Sequence, residues 1–253
     1  MCSCLAQWPL AIKRCFDDRV MIGSTIITAL KDWLAPSNAE RADRPVLPRL
    51  RGRSHQAALV MSIPAAAILI GHAESTTGKI GCAIYMLTLI GLFATSSIYN
   101  RSIGTPRLRP WMRWVDHSMI YALIAGSYAP TCLAVLPRRI GIPLLVTVWS
   151  AAILGSIAKF AFKHQFRLAG GVLYTLIGCA ALVALPQLFQ HAPTASVSLY
   201  LAGLAIYGVG GLSLYRRSPD PHPEIFGYHE VWHLYVIGGA AAHFLATWVA
   251  VSV

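Results

Sequence analysis

The sequence predicts an all-α integral membrane protein, a bundle of seven transmembrane helices. Of its 253 residues, 56% are hydrophobic and only 12% are charged, whereas a soluble domain has about 45–50% apolar and about 25% charged residues. Seven apolar stretches also approach the length of about 20 residues that a helix needs to cross a bilayer. Together these observations predict one polytopic helical domain and exclude a soluble globular protein.

The seven predicted spans begin after a long polar segment and then follow one another closely. Their bounds are Gln56–Gly71, Ile80–Tyr99, Ser118–Leu136, Ile140–Ala158, Gly170–Phe189, Ala195–Tyr215 and Val231–Val253. The first is the shortest, and Pro64 is expected to interrupt it. Only the short stretch PRRIG separates the third span from the fourth, which predicts a tight hairpin. The chain thus divides into an N-terminal segment, 1–54, and a seven-helix domain, 55–253.

The N-terminal segment is predicted to be a cytoplasmic tail. Ile22, Ile26, Leu30 and Trp33 recur at helical spacing, which favours a helix lying along the inner membrane surface. A loosely ordered tail fits the same residues equally well. Both interpretations stay open.

The positive charges are distributed unevenly about the predicted spans. Of the 21 Lys and Arg residues, all but Lys79, Arg138 and Arg139 fall on the side of the N-terminus. The positive-inside rule therefore places the N-terminus in the cytoplasm and the C-terminus outside. Topology and contact with anionic lipids also explain the net charge of +11. We therefore expect membrane lipids and no nucleic acid as partners; protein partners are left open.

Three segments distant in sequence place polar residues at one depth of the predicted bundle. The second span ends with Ser96 and Asn100, the third begins beside Asp116, and the seventh begins beside His229 and His233. All three span ends lie on the cytoplasmic side of the predicted topology. Because ionisable residues at membrane depth are costly and usually functional, these five residues form the candidate site.

His229 and His233 stand four residues apart, which places both imidazoles on one face of a helix. Two metal ligands on a helix need this geometry, and a catalytic zinc needs three protein ligands and one open position. Asp116 is the candidate third group, either as a ligand or as the residue that holds the zinc-bound water. The competing interpretation is a pair of interfacial histidines without a metal.

The other histidines are interpreted as lying outside this site. His243 is ten residues beyond His233, about 15 Å along the helix. His72 and His191 fall on the opposite side as interfacial anchors. His55 is interpreted as a loop or interface residue, as are His164 and His222.

The stretch from His229 to His233 also has the H-E-x-x-H form of a metalloprotease zinc helix, in which Glu230 would be the general base. A glutamate zincin needs a further acidic ligand downstream, and no Asp or Glu follows His233. An H-E-x-x-H intramembrane protease is therefore the least favoured interpretation.

Four stretches resemble the hemolysin III family, within the superfamily that includes the progestin and adipoQ (adiponectin) receptors. They are TSSIYNRS, RWVDHSMIYALIAGSYAP, YGVGGLSLYRRSPDPHPEIFGYHEVWHLYV and AAAHF. The combination is similar to that of actinobacterial members. The positive-inside pattern is that of a multi-pass protein of the bacterial inner membrane. The resemblance also implies a seven-helix bundle with its N-terminus inside.

In adiponectin-receptor-like members the resemblance implies a zinc ion, Zn2+, held by three histidines near the cytoplasmic face. His229 and His233 match two of them, Asp116 matches an Asp that meets the zinc-bound water, and Ser96 matches the serine of an S-x-x-x-H motif. Asn100 stands where that motif has its histidine. A neutral amide is a poor zinc ligand beside imidazole, so zinc is expected to be bound more weakly, to use Asp116 directly, or to be absent.

Three function classes follow from this resemblance. The first is a zinc-dependent lipid-amide hydrolase of the ceramidase type, with a membrane lipid as substrate. The second is a non-enzymatic receptor-like or membrane-homeostasis protein. The third is the cytolytic, pore-forming activity that the family name suggests, which fits a multispan membrane resident less well.

The predicted topology can be tested with reporter fusions. Fusions after Arg109 and Arg217 should report a cytoplasmic location, because the basic loops are retained there. Fusions after Thr76 and at the C-terminus should report the outside. A cytoplasmic C-terminus would contradict the seven-span arrangement and the convergence that depends on it.

Overall fold

The helices and their connections are seen in a computed structural model that describes residues 48–101, 108–162 and 167–252. Within these described ranges, seven segments are long and apolar enough to cross a membrane, and we number them spans 1 to 7. Their bounds are Arg53–His72, Thr76–Arg101, Arg109–Val135, Arg138–Phe162, Ala169–His191, Thr194–Arg216 and Tyr228–Val251. The described residues contain no strand. The predicted all-α fold with seven spans is confirmed, whereas the orientation of the termini stays a prediction.

Each predicted span is found, and each begins before its predicted start, by between one residue (spans 5 and 6) and nine residues (span 3); spans 3 and 7 end one and two residues before their predicted ends. Span 1 begins at Arg53 and continues as one α-helix through Pro64, so the predicted interruption does not occur. Proline is tolerated within membrane helices because neighbouring groups satisfy the freed backbone carbonyl. The candidate interfacial helix around residues 22–33 lies outside the described residues.

Spans 3 and 5 are not regular α-helices throughout. Span 3 consists of an α-helix, Arg109–Ser127, and a π-helical turn, Thr131–Val135. Span 5 is formed by the helix Arg167–Cys179, which begins two residues before the span, by the 3₁₀ turn Ala180–Ala184 and by the helix Leu185–His191.

The break in span 5 has a clear cause in the side chain of Tyr128. Its hydroxyl donates to the carbonyl oxygens of Ile177 at 2.6 Å and Gly178 at 2.9 Å. The same hydroxyl accepts the Ala181 N–H at 2.9 Å. A side chain inserted into the hydrogen-bond ladder bends a helix, so Tyr128 both interrupts span 5 and fastens it to span 3.

The spans approach one another closely where one of them carries a glycine. A side chain at Gly81 of span 2 would place its Cβ 2.7 Å from the Cα of Pro130, between the two parts of span 3. Only Leu136 and Pro137 separate spans 3 and 4, which confirms the predicted hairpin. Because lipid tails are as apolar as the helix faces, close backbone packing of this kind drives helix association.

Interhelical hydrogen bonds deep in the bundle add to this packing. The Tyr85 hydroxyl of span 2 donates to the Ala240 carbonyl of span 7 at 3.1 Å. Ser196 of span 6 donates to the Ala246 carbonyl of span 7 at 2.8 Å. Such bonds are worth about 0.6–2 kcal/mol each within a membrane, and they help to set how far each span is shifted along its neighbour.

The close contact at Gly81 can be tested with a matched pair of variants. Gly81→Ala should lower the thermal unfolding temperature in detergent, because overpacking costs about 1–3 kcal/mol. Gly211→Ala should be neutral or stabilising by up to about 1 kcal/mol, since a Cβ at Gly211 of span 6 would meet nothing within 4 Å. Equal unfolding temperatures for the two variants would contradict backbone contact between spans 2 and 3.

Candidate functional site

Polar side chains from spans 1, 2, 3 and 7 and from the segment before span 1 meet at one end of the bundle. We call this group the polar cluster, and it consists of Arg51, His55, Ser96, Asn100, Asp116, His229, Glu230 and His233. It contains all five residues that the sequence predicted to converge. It also contains three that were not assigned to the site: Arg51, His55 and Glu230.

The two histidines of span 7 lie side by side, as their spacing predicts. Their ring centroids are 4.6 Å apart and the ring planes are inclined at 70°. The His233 side chain is buried, and its Nδ1 atom has no hydrogen-bond partner in the described part of the chain. This nitrogen is available for a ligand.

His55 is the largest correction to the sequence analysis, which placed it in a loop or interface. It lies in the first turn of span 1 because the helix begins at Arg53, three residues before the predicted start. Its side chain is only 2% exposed and stacks on His233, with ring centroids 3.7 Å apart and planes inclined at 15°. Extending the apolar helix back by one turn would have placed His55 at the depth of Ser96.

Arg51 determines the orientation of Asn100. The Arg51 Nε–H donates to the Asn100 Oδ1 atom at 2.9 Å. Because a guanidinium can only donate, the amide oxygen must face Arg51. The amide nitrogen then donates to the Ser96 carbonyl at 2.9 Å and to the Ser96 hydroxyl at 3.2 Å. Both ends of the Asn100 amide are therefore occupied within the protein.

Asp116 lies inside a helix rather than at its edge, because span 3 begins at Arg109. Its carboxylate is 15% exposed and lies 4.0 Å from the His117 Nδ1 atom. Ser96 accepts from the Asn100 amide at 3.2 Å and links span 2 to span 1 through a contact of 2.9 Å with the His55 Nδ1 atom.

Glu230 is fully buried at the start of span 7. Its Oε2 atom accepts the Gly227 N–H at 2.9 Å, which satisfies a free donor at the helix N-terminus. Its Oε1 atom lies 3.7 Å from the Arg51 Nε atom. Oε1 has no hydrogen-bond partner in the described part of the chain, so the cap made by Oε2 is the observation that favours a structural role for Glu230.

The segment before span 1 holds Arg51 in place. The N–H groups of Arg49 and Leu50 donate to the carbonyl oxygens of Glu224 and Ile225, at 2.9 and 3.0 Å. Gly52 follows with φ +73°, and a Cβ there would lie 3.0 Å from the Asn100 Cβ. Glycine is the residue that adopts this conformation without steric cost, so Gly52 lets the chain turn into span 1 against span 2.

The chemistry of the polar cluster fits a zinc ion, although its present geometry is not that of a ligated one. Imidazole and carboxylate are zinc ligands, and buried nitrogens without partners, such as His55 Nε2 and His233 Nδ1, carry a desolvation cost that a metal would relieve. Among the residues that the structure describes, no three His, Cys, Asp or Glu side chains yet form a group that holds a metal. Asn100 does not fit as a ligand, since its oxygen is bonded to Arg51.

Known proteins of one family match this chain over most of its length. Residues 45–244 match the family model described as Haemolysin-III related. Hemolysin-3 of Bacillus cereus is 33% identical over 195 residues, which cover 76% of this chain and 85% of that protein. The Hemolysin-3 homolog of Bacillus subtilis (strain 168) is 31% identical over 195 residues, 76% of this chain and 88% of that protein.

The chain is also similar, at lower identity, to animal proteins. The monocyte to macrophage differentiation factor of Homo sapiens is 25% identical over 203 residues, which cover 77% of this chain and 80% of that protein. No solved structure matches the chain. The family match, the Bacillus relatives and the seven apolar helices together show that this chain is a multi-pass membrane protein that belongs to the haemolysin-III-related family.

Proposed function

We propose that this protein is a membrane-embedded, zinc-dependent hydrolase that acts on a lipid amide. One observation carries the proposal: the histidine pair of span 7 lies in the same cluster as the Ser96–Asp116 pair, at one end of a bundle whose outer faces are apolar. A site of this kind meets lipid at its sides and the aqueous phase at its end. The resemblance to adiponectin-receptor-like proteins supports lipid-amide chemistry.

In this proposal His229 and His233 hold the metal, and a third ligand comes from elsewhere in the polar cluster. Zinc, when bound, supplies Lewis-acid activation of a carbonyl oxygen and of a water molecule. Asp116 accepts a proton at its carboxylate and passes it to the amine that leaves. We assign Ser96 to the orientation of Asp116, as the resemblance implies for the serine and the aspartate of this site. The apolar side chains of the spans bind the lipid chains.

A second candidate is a non-enzymatic, receptor-like or membrane-homeostasis protein. The hydrogen bonds from Arg51 to Asn100 and from Asn100 to Ser96 favour it. A polar network whose bonds are made within the protein joins helices and needs no catalytic role to explain it. The name of the Bacillus relatives suggests cytolysis. No feature of the described residues favours that activity.

The hydrolase proposal predicts different effects for Asp116 and His233. Purified parent protein should carry about one zinc ion per chain and should hydrolyse a fluorescent short-chain ceramide in mixed micelles. Asp116→Asn should keep the zinc but lose about 10²–10⁴-fold in hydrolysis, as expected for loss of a general base. His233→Ala should lose both, since it removes a metal ligand.

His191→Ala is the matched control, because His191 is exposed and lies in span 5, outside the polar cluster. It should change neither the zinc content, measured by elemental analysis, nor the rate. Parent protein that contains zinc but hydrolyses no lipid amide would support the non-enzymatic candidate. Parent protein without zinc would contradict the metal centre itself.

Glu230 separates this proposal from a metalloprotease. Glu230→Gln should retain zinc and hydrolysis, because Gln keeps an oxygen for the Gly227 N–H and loses only the charge facing Arg51. Glu230→Ala removes that acceptor. Its free energy of unfolding should be about 0.5–2 kcal/mol lower than that of Glu230→Gln, which is the usual effect of losing a helix cap. Loss of all activity in Glu230→Gln, with zinc and stability intact, would make Glu230 the base and would contradict the assignment of Asp116.

A further inference from the structure

We infer that this protein binds the phosphate group of an anionic phospholipid at the edge of the bundle where span 1 begins and span 2 ends. The phosphate is held by Arg53 and Gln56 of span 1 and by Arg101 of span 2, which we call the arginine site. None of these residues belongs to the polar cluster, so the inference is independent of the metal and of the reaction proposed above. The charge distribution in the sequence indicates contact with anionic lipids in general; the structure gives that contact a place.

Two arginine side chains share one acceptor at this site. The Arg101 Nη1 atom donates to the Gln56 Oε1 atom across the two spans, and the Arg53 Nη1 atom lies 3.5 Å from the same oxygen. Because a guanidinium only donates, a single neutral oxygen holds two positive charges close together. Like charges at this separation repel each other, and an anion placed between them relieves the repulsion.

No acidic side chain neutralises the two arginines. Neither Arg53 nor Arg101 takes part in a salt bridge within the described part of the chain, and the nearby Glu230 faces Arg51 instead. The first turn of span 1 contains no acidic residue, and Gly52 gives it no side-chain cap. Because a helix N-terminus also favours negative charge, the guanidinium groups and the helix both attract an anion to the same place.

The chain holds Arg101 in position before a ligand binds. A Cβ at Gly52 would lie 3.3 Å from the Arg101 Cγ atom, so the aliphatic part of Arg101 packs directly against the start of span 1. Its guanidinium is fixed at the other end by Gln56. A side chain that is already ordered loses less conformational entropy on binding, which favours binding of a ligand at this site.

The donors that remain on the two guanidiniums match the oxygens of a phosphate. Each arginine uses Nη1 for Gln56, and in the described part of the chain the Nε and Nη2 atoms of Arg53 and Arg101 make no other hydrogen bond. Both side chains are exposed. This edge of a guanidinium binds two phosphate oxygens in parallel, which a lysine cannot do.

The helix faces below the arginine site are apolar, which identifies the ligand as a lipid. Val60 and Ile63 lie one and two turns beyond Gln56 on the same face of span 1 and are 63% and 59% exposed. Ile98 lies one turn before Arg101 in span 2 and is 59% exposed. The two spans run in opposite directions, so all three residues lie deeper in the membrane than the arginines. A phosphate on the arginines therefore places acyl chains along these side chains, as in other basic headgroup sites between transmembrane helices.

The test measures binding of a fluorescent phosphatidylglycerol to the full-length protein in detergent, and its displacement by unlabelled lipids. Unlabelled phosphatidylglycerol should displace the probe from the parent at lower concentration than phosphatidylcholine does. Arg53→Gln and Arg101→Gln should each bind phosphatidylglycerol at least about fivefold more weakly, which is the usual contribution of one basic residue at an anionic membrane surface. Their affinity for phosphatidylcholine should match that of the parent.

Arg216→Gln is the matched control. It removes the same charge from an exposed arginine in the last turn of span 6, outside the arginine site, and it should bind phosphatidylglycerol as the parent does. Equal losses in all three arginine variants would overturn the inference, because affinity would then follow the net charge of the protein alone. A parent protein that binds both lipids equally would also overturn it.

A further variant tests the shared acceptor while keeping both arginines. Gln56→Glu places a carboxylate between the guanidiniums, where it supplies the negative charge that the lipid otherwise supplies. Its preference for phosphatidylglycerol should fall at least about fivefold, and its unfolding temperature without lipid should rise. Gln190→Glu makes the same change at an exposed position in span 5 and should match the parent. An unchanged lipid preference in Gln56→Glu would overturn the site.

Inorganic phosphate separates a lipid site from a general phosphate site. Millimolar phosphate should not displace the fluorescent lipid, because it has no acyl chains to contact Val60, Ile63 and Ile98. Displacement by inorganic phosphate at the concentration that unlabelled phosphatidylglycerol requires would overturn the assignment to a lipid.

Discussion

The hydrogen bond from Arg51 to Asn100 orders the polar cluster. Because the guanidinium donates and never accepts, it orients the Asn100 amide, and the amide in turn donates to the Ser96 hydroxyl. The Ser96 hydroxyl also lies 2.9 Å from the His55 Nδ1 atom, so the series joins the segment before span 1 to span 2, and span 2 to span 1. The Asn100 amide nitrogen donates to the Ser96 carbonyl as well, which holds the amide in the same orientation from its other end.

This arrangement also explains how so many polar groups are buried at the end of an apolar bundle. Buried polar atoms are costly unless they are paired, and a network with all its bonds made is rigid. Arg51 and Glu230 face each other at 3.7 Å, and Glu230 also accepts the Gly227 N–H. In the part of the cluster that the structure describes, the exceptions are His55 Nε2, His233 Nδ1 and Glu230 Oε1, which are buried without a hydrogen-bond partner.

Span 1 is fastened to span 7 by stacked rings at both of its ends. His55 stacks on His233 at one end, and His72 stacks on Trp248 at the other. Between them span 1 turns apolar residues such as Val60 and Met61 outward, as expected for a helix that faces lipid. The two contacts therefore fix both the position of span 1 along the bundle and the burial of His55.

The sequence by itself determined the fold class, the number of spans and the meeting of Ser96, Asn100, Asp116 and the histidine pair. These features follow from hydropathy, from span length and from the alternation of direction between successive helices. Each of these properties can be obtained from short stretches of the sequence without knowing how the helices pack. Only the tertiary structure decided the parts played by Arg51 and His55. The start of span 1 lies one turn earlier than its apolar residues indicate, and that turn separates a loop histidine from a buried one. The contacts of His55 with Ser96 and His233 join residues far apart in the chain, and such contacts depend on how the helices pack against one another.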